Sequence, residues 1–309
     1  MWNVGLPHRR VSRETAGTAR SVLCHHRVSP GMQGATKENV ARCPLFIKAE
    51  TPASEMKDGK LAEVWYRDPE THQFTQKFDW KGGTAFVVTH NNHLYLVTAK
   101  HVAAALADLP DDLVTLVGSH FAGSAPWSGR ENRAALKGAK WFQHTSADVA
   151  VHPLPEGTWQ NAGYMILDET AFWPETTTAS VMEPVYLHGF PLGIGAQAGE
   201  FLPVAKTMHV ASWMTSLPEP SISPALKFIL VDEPIAQGYS GAPVFAELPS
   251  QTLVLDPTYE PPVGLIGIAQ GTESDVSGGK LGVVVPVRYL RELLASTEVS
   301  RFERENPTR

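Results

Sequence analysis

The chain has 309 residues, 43% of them hydrophobic, and a formal net charge of −6. That length holds one large all-β domain or two ordinary ones. The modest negative balance excludes a general role on nucleic acid or an anionic membrane surface, and no run of about 18 apolar residues is present to span a bilayer.

Residues 1–42 show no sustained period of either kind and read as a flexible basic tail. Arg9, Arg10, Arg13, Arg20 and Arg27 stand there among serines, with Glu14 the single acid before Glu38. That composition is one a mitochondrial-type transit peptide has; a basic disordered tail or a true start at Met32 are the plainer readings. With no apolar signal core, the expected location is the cytoplasm. The two cysteines, Cys24 and Cys43, read as reduced thiols in a reducing compartment.

From Pro44 the pattern changes to short apolar runs separated by Gly, Pro, Asn and Asp. Strands are expected near 44–50, 61–66, 83–89, 93–98, 113–118 and 148–153. The clearest hairpin joins Thr84–Val88 to Leu94–Val97 through Asn91-Asn92. A second set is expected near 183–188, 202–210, 226–232, 242–246, 262–269 and 281–286, with 154–180 as the connection. Helical segments are expected at Val102–Ala107 and Arg288–Leu294, and residues 297–309 read as a charged, frayed tail. Two such groups of strands fit an all-β fold of two six-stranded antiparallel barrels, each closed so that no edge is exposed, with a short C-terminal helix. The first barrel would cover about 43–154 and the second about 180–296 of a domain over 43–296.

Three residues carry chemistry. Ser240 lies in Gly238-Tyr239-Ser240-Gly241, where flanking glycines permit a tight turn and let the Gly238 and Ser240 N–H groups converge on one point. A serine nucleophile needs such donors and a base within hydrogen-bond reach. His101 ends the apolar run Leu96–Ala99 and an imidazole there takes and returns a proton near neutrality. Asp148 opens Val149-Ala150-Val151 and offers a carboxylate to the second ring nitrogen. Singly, each reads equally as a turn serine, a surface or core histidine and a strand-capping aspartate. Asp111 and Asp112 are rivals for the acid, in a turn that follows His101 closely. Together the order His, Asp, Ser is one of three common chain orders for a single triad geometry.

Residues from about 83 to 290 resemble the trypsin-like serine peptidases of the bacterial, disulfide-free kind. Gly83-Thr84-Ala85-Phe86-Val87-Val88 is similar to the family's Gly-Thr-Gly-Phe-Val-Val, and Leu96–His101 to its Leu-Val-Thr-Ala-Ala-His. Asp148–Val151 is similar to its Asp-Leu-Ala-Leu, and Gly238–Pro243 to its Gly-Asn/Asp-Ser-Gly-Gly-Pro. The resemblance implies the double-barrel fold, endopeptidase activity on a polypeptide substrate, and a triad of His101, Asp148 and Ser240. No cofactor or metal is implied.

The departures bear on mechanism. Tyr239 stands where digestive members of the family have an aspartate that pairs with a newly cut N-terminus, which argues against that activation. Pro234, six before the serine, replaces the acid that selects Lys or Arg in trypsin, although Asp232 and Glu233 are near. Gly264–Gln270 resembles the strand lining the substrate cleft, so Pro234, Gly267, Ile268 and Ala269 are its expected lining and the first pocket is expected to be uncharged.

Three other readings stand beside this one. Leu187-His188-Gly189-Phe190-Pro191 resembles the oxyanion loop of α/β-hydrolases, but all twelve histidines precede Ser240, and that fold needs its histidine after its serine. His25, His26, His90 and His93 lack metal-site spacing. A catalytically silent copy of the fold, serving as a binding or scaffolding module, is the alternative to the enzyme.

Overall fold

Along Pro184–Gly189 every second residue is buried: Val185, Leu187 and Gly189 face inward, and Tyr186 and His188 lie on the other side. That period of two is the strand rule, and it recurs through the computed structural model of the chain. The structure describes residues 35–41, 43–52, 54–57, 60–63, 65–67, 74–76, 78–107, 114–120, 128–132, 140–154, 165–195, 202–217, 225–249 and 261–308.

In chain order the elements begin with α1 (Lys37–Val40), β1 (Leu45–Pro52), β2 (Ser54–Lys57), β3 (Lys60–Glu63), β4 (Trp65–Arg67) and β5 (Phe74–Gln76). There follow β6 (Phe78–His90), β7 (His93–Thr98), α2 (Lys100–Ala107), β8 (Val114–His120), β9 (Ser128–Asn132), β10 (Phe142–Gln143), β11 (Ala150–Leu154) and β12 (Ile166–Leu167). The second half holds β13 (Pro184–Gly189), β14 (Val204–Thr215), β15 (Phe228–Val231), β16 (Pro243–Glu247), β17 (Val263–Ser274), β18 (Lys280–Pro286), α3 (Val287–Leu294) and α4 (Thr297–Glu305).

Strands β13 to β18 close into a six-stranded antiparallel barrel, as expected. The first group does not close. Among the described residues it is an eight-stranded sheet running β10-β11-β7-β6-β1-β8-β9, with β12 added in parallel to β6. Closure needs β9 to meet β10, and among the described residues no pairing joins them. The expectation of two closed barrels is therefore corrected to one closed barrel and one open sheet. The 61–66 expectation resolves into parts of two small hairpins, β2–β3 and β4–β5.

The long strand β6 organises the first sheet, pairing with β1 over its first part and with β7 over its last. Both its faces are buried. Ala85 and Val87 join Leu45, Ile47, Leu96 and the α2 residues Val102 and Leu106 in one cluster. Phe86 and Val88 join Tyr95, Val97, the second-barrel core and the C-terminal helices in another. A strand covered on both sides reads as an unbroken apolar run, as Phe86-Val87-Val88 does.

Two stretches read as tails are ordered. Ala35 bridges to Val263 and accepts its N–H at 2.7 Å, and Val40 is fully buried. The tail thus ends before residue 35, and the rest of it lies outside the described residues. At the other end, Ser296 accepts the Val299 N–H and caps α4. Val299 is buried and Phe302 sets its ring 5.7 Å from Phe142 and 6.1 Å from His93. The Tyr95 hydroxyl donates to Glu303 at 2.9 Å. Among the described residues no helix is long and apolar enough to cross a membrane.

One buried group makes stability pH-dependent. Burial holds the His188 imidazole down at about 4, and its Nδ1 has no partner among the described residues. The unfolded chain takes up this proton near pH 6.5 and the fold refuses it until about pH 4, so stability falls as pH falls through that window. The full loss is about 3 kcal/mol. Urea unfolding of wild type and His188→Gln at pH 7 and 4.5 should show the wild type losing more of its stability. Equal losses in the two proteins contradict this.

Candidate active site

His101 is the second residue of α2, directly after β7. Its backbone N–H belongs to the first turn of a helix and has no partner within that helix. Asp148 supplies one: Oδ1 accepts the His101 N–H at 2.9 Å, while Oδ2 faces the ring Nδ1 at 2.7 Å. The carboxylate thus caps the helix, where an anion is favoured, and orients the ring at the same time. With Nδ1 donating to the carboxylate, Nε2 is left as the acceptor. The histidine side chain is 52% exposed and that of Asp148 16%. The ring meets solvent while its orienting group is mostly covered.

Ser240 lies in a turn that glycine alone accommodates at two places. Gly238 has φ +96° and Gly241 φ +87°, both in the left-handed region. The Ser240 carbonyl accepts the Thr84 N–H at 2.9 Å. A Cβ on Gly83 would lie 2.6 Å from that carbonyl and 2.9 Å from Val102, and one on Gly241 would lie 2.9 Å from the Ala99 nitrogen. The serine turn therefore rests on Ala99 and on Gly83, which itself packs against Val102, so both contacts lie beside His101. The Ser240 hydroxyl donates to the Gln270 carbonyl at 3.0 Å, and among the described residues no hydrogen bond joins it to the His101 ring.

The N–H groups of Gly238 and Ser240 have no hydrogen-bond partner among the described residues. The preceding carbonyl, that of Gln237, accepts the Leu192 N–H at 2.7 Å. In a trans peptide C=O and N–H point opposite ways, so the Gly238 N–H points away from Leu192. Two unpaired donors beside a serine are what an oxyanion requires.

Thr84 is the residue the sequence reading passed over. It is fully buried. Its hydroxyl donates to the Gly238 carbonyl at 2.8 Å and accepts the Phe190 N–H at 3.1 Å; its carbonyl accepts from the Thr98 hydroxyl at 2.8 Å. One side chain of the first sheet thus holds both ends of the serine turn's approach in the second barrel. The isosteric change Thr84→Val leaves Gly238 O and Phe190 N–H buried without that partner and should lower stability by about 2–4 kcal/mol. An unchanged chemical-unfolding midpoint would contradict this role.

The expected cleft lining is only partly placed at the surface. Gly267 is buried, Ile268 and Ala269 are fully buried, and a Cβ on Gly267 would lie 2.3 Å from the Val285 carbonyl. All three are buried, and Ile268 and Ala269 belong to the main apolar core. A register shift between Ala269 and Gly271 brings β17 to the surface from Gln270 onward. Pro234 is exposed, and its carbonyl accepts from Lys206 at 2.6 Å. The neighbouring acids are paired, Glu233 with Lys206 at 3.0 Å and Asp232 with His209 at 3.0 Å. Hydrogen bonds from the His209 backbone and ring hold the Asp232 carboxyl below its ordinary value. Tyr239 is buried, and burial pushes its hydroxyl up to about 12, so a neutral phenol stands before the serine.

Residues 83–248 match the family model of the trypsin-like peptidase domain, more than half of the chain, and the chain belongs to that family. No curated protein matches it. Among solved structures, the HtrA-type protease AlgW with a decapeptide is 17% identical at TM-score 0.49, over 84% of this chain and 65% of that one. Deg5 is 15% identical at TM-score 0.45, over 82% and 88% of the two chains. Rv3671c of M. tuberculosis H37Rv is 13% identical at TM-score 0.44, over 88% and 91%. The chain spans less than two-thirds of the AlgW chains.

Proposed function

We propose that the protein is a serine endopeptidase with Ser240 as nucleophile, His101 as general base and Asp148 as its orienting acid. The observation that carries this reading is the double contact of Asp148 with the backbone and ring of His101, beside a serine turn with two unpaired N–H groups. Substrate binding displaces the Ser240 hydroxyl from the Gln270 carbonyl and turns it to His101 Nε2. Ser240 Oγ then attacks the scissile carbonyl while His101 takes its proton, and the Gly238 and Ser240 N–H groups receive the oxyanion. His101 returns the proton to the leaving amine, and water repeats the sequence on the acyl-enzyme.

The substrate is a polypeptide, bound without cofactor or metal. The resting bond from Ser240 to Gln270 also suits the second reading, a silent copy of the fold that binds without cutting. Casein cleavage separates the two. Asp148→Asn should lower kcat by about 10⁴-fold, because the amide no longer fixes the tautomer of His101. Wild-type protein with no turnover on any unfolded substrate would support the silent reading.

A further inference from the structure

The turn that presents Asp148 is held by a histidine that the peptidase reading does not use. His144 follows β10, and its side chain is 11% exposed. Its Nδ1 accepts two backbone N–H groups, from Ala147 at 2.9 Å and from Ser146 at 3.2 Å. Its Nε2 faces Glu292 Oε2 of α3 at 3.1 Å, and the Tyr289 ring packs edge-on at 5.4 Å. The backbone closes the same turn, with the His144 N–H donating to the Val149 carbonyl at 3.0 Å. Lys100, next to His101, donates to the His144 carbonyl at 3.0 Å. A nitrogen that accepts two N–H groups carries no proton, so the ring is neutral with its hydrogen on Nε2, toward Glu292.

We propose that His144 is a positioning residue for the His101–Asp148 pair, holding the Ser146–Ala147 turn through an unprotonated Nδ1 and so fixing where the Asp148 carboxylate lies. The proposal rests on the peptidase reading for its effect on turnover, and on geometry alone for its effect on the pair. An N–H on Nδ1 would point at two other N–H groups, so protonating His144 opens the turn.

The variants differ in what they keep. His144→Asn retains an acceptor for the i+2 and i+3 N–H groups, as an Asx turn does, and does not titrate. His144→Leu keeps neither feature. Two quantities are read in wild type, His144→Asn, His144→Leu and Ser240→Ala: the low-field proton resonance of His101 Nδ1–H against Asp148, and kcat and KM for a casein-derived peptide from pH 5 to 8.5. The resonance should persist in wild type, His144→Asn and Ser240→Ala, and be lost to exchange in His144→Leu. The leucine variant should lose about 10²-fold in kcat with KM little changed, the cost of a misplaced catalytic group. The asparagine variant should keep kcat and KM close to those of wild type, because its side-chain oxygen still accepts the two N–H groups.

A His144→Leu protein with the wild-type resonance and kcat overturns the proposal. So does a His144→Asn protein that loses the resonance and kcat as His144→Leu does, since it keeps the acceptor. Should His144→Leu fail to fold, His144→Phe, which keeps a ring against Tyr289 and loses the acceptor, decides by the same two readouts. Should Ser240→Ala turn over as wild type does, the peptidase reading fails, and the resonance still decides the role of His144.

Discussion

On the proposed mechanism, Ser240→Ala should cleave casein about 10⁵–10⁶-fold more slowly than wild type and should fold as well as it does. The rate falls because the acyl-enzyme route is gone; what remains is the modest catalysis that binding and the oxyanion donors supply without a nucleophile. The fold survives because the contacts that hold the turn are made by its backbone. The Ser240 carbonyl still accepts from Thr84, the Gly241 N–H still reaches Ala269 at 2.8 Å, and Ala242 still bonds Tyr239 at 2.8 Å. The one bond deleted is the hydroxyl's own to Gln270. A purified Ser240→Ala protein with wild-type kcat would show that the hydroxyl does no chemistry.

Gly241→Ala has the opposite character, since it attacks the fold that presents the serine. A Cβ there would lie 2.1 Å from the Thr84 carbonyl, 2.2 Å from the Thr98 hydroxyl and 2.9 Å from the Ala99 nitrogen, at φ +87°. None of these neighbours is the free end of a flexible side chain, so the two sheets must move apart where they meet. Overpacking and left-handed strain together should lower stability by about 3–5 kcal/mol, roughly 10 °C in Tm. Gly278→Ala is the control. Its φ is +93°, but nothing lies within 4 Å of the added carbon, so strain acts alone and costs about 1–2 kcal/mol. Equal melting temperatures for the two variants would mean that crowding at residue 241 is relieved at no cost.

The parts of this molecule that were legible in its sequence are those encoded locally. The strand over 93–98 was read to the residue, because apolar residues there run between an Asn-Asn turn and a helix start. The His101–Asp148 contact was anticipated from an acid opening one strand and a histidine ending another, and β7 and β11 do pair, Ala150 opposite Thr98. What stayed hidden depends on partners far along the chain. Helix α4 has few apolar positions, and its reason to form is Phe302 against His93 and Phe142. Thr84 looks like any strand threonine until Gly238, 154 residues away, is placed on its hydroxyl. On β17 the expected lining residues Gly267, Ile268 and Ala269 are buried, and the shift after Ala269 leaves the apolar pattern before it undisturbed, so the pattern does not mark where the strand surfaces. The expectation of first-barrel closure follows from a strand count, which does not say whether the outermost strands, β9 and β10, meet; among the described residues they do not.

The proposed mechanism turns on one chemical event, attack by the Ser240 oxygen assisted by His101. A fluorophosphonate probe reports that event without any knowledge of the substrate. Mass spectrometry of the digested adduct should place the phosphonyl group on Ser240 in wild type and find none in His101→Ala. Modification at another residue, or equal labelling of Ser240 when the imidazole is absent, would contradict the assignment.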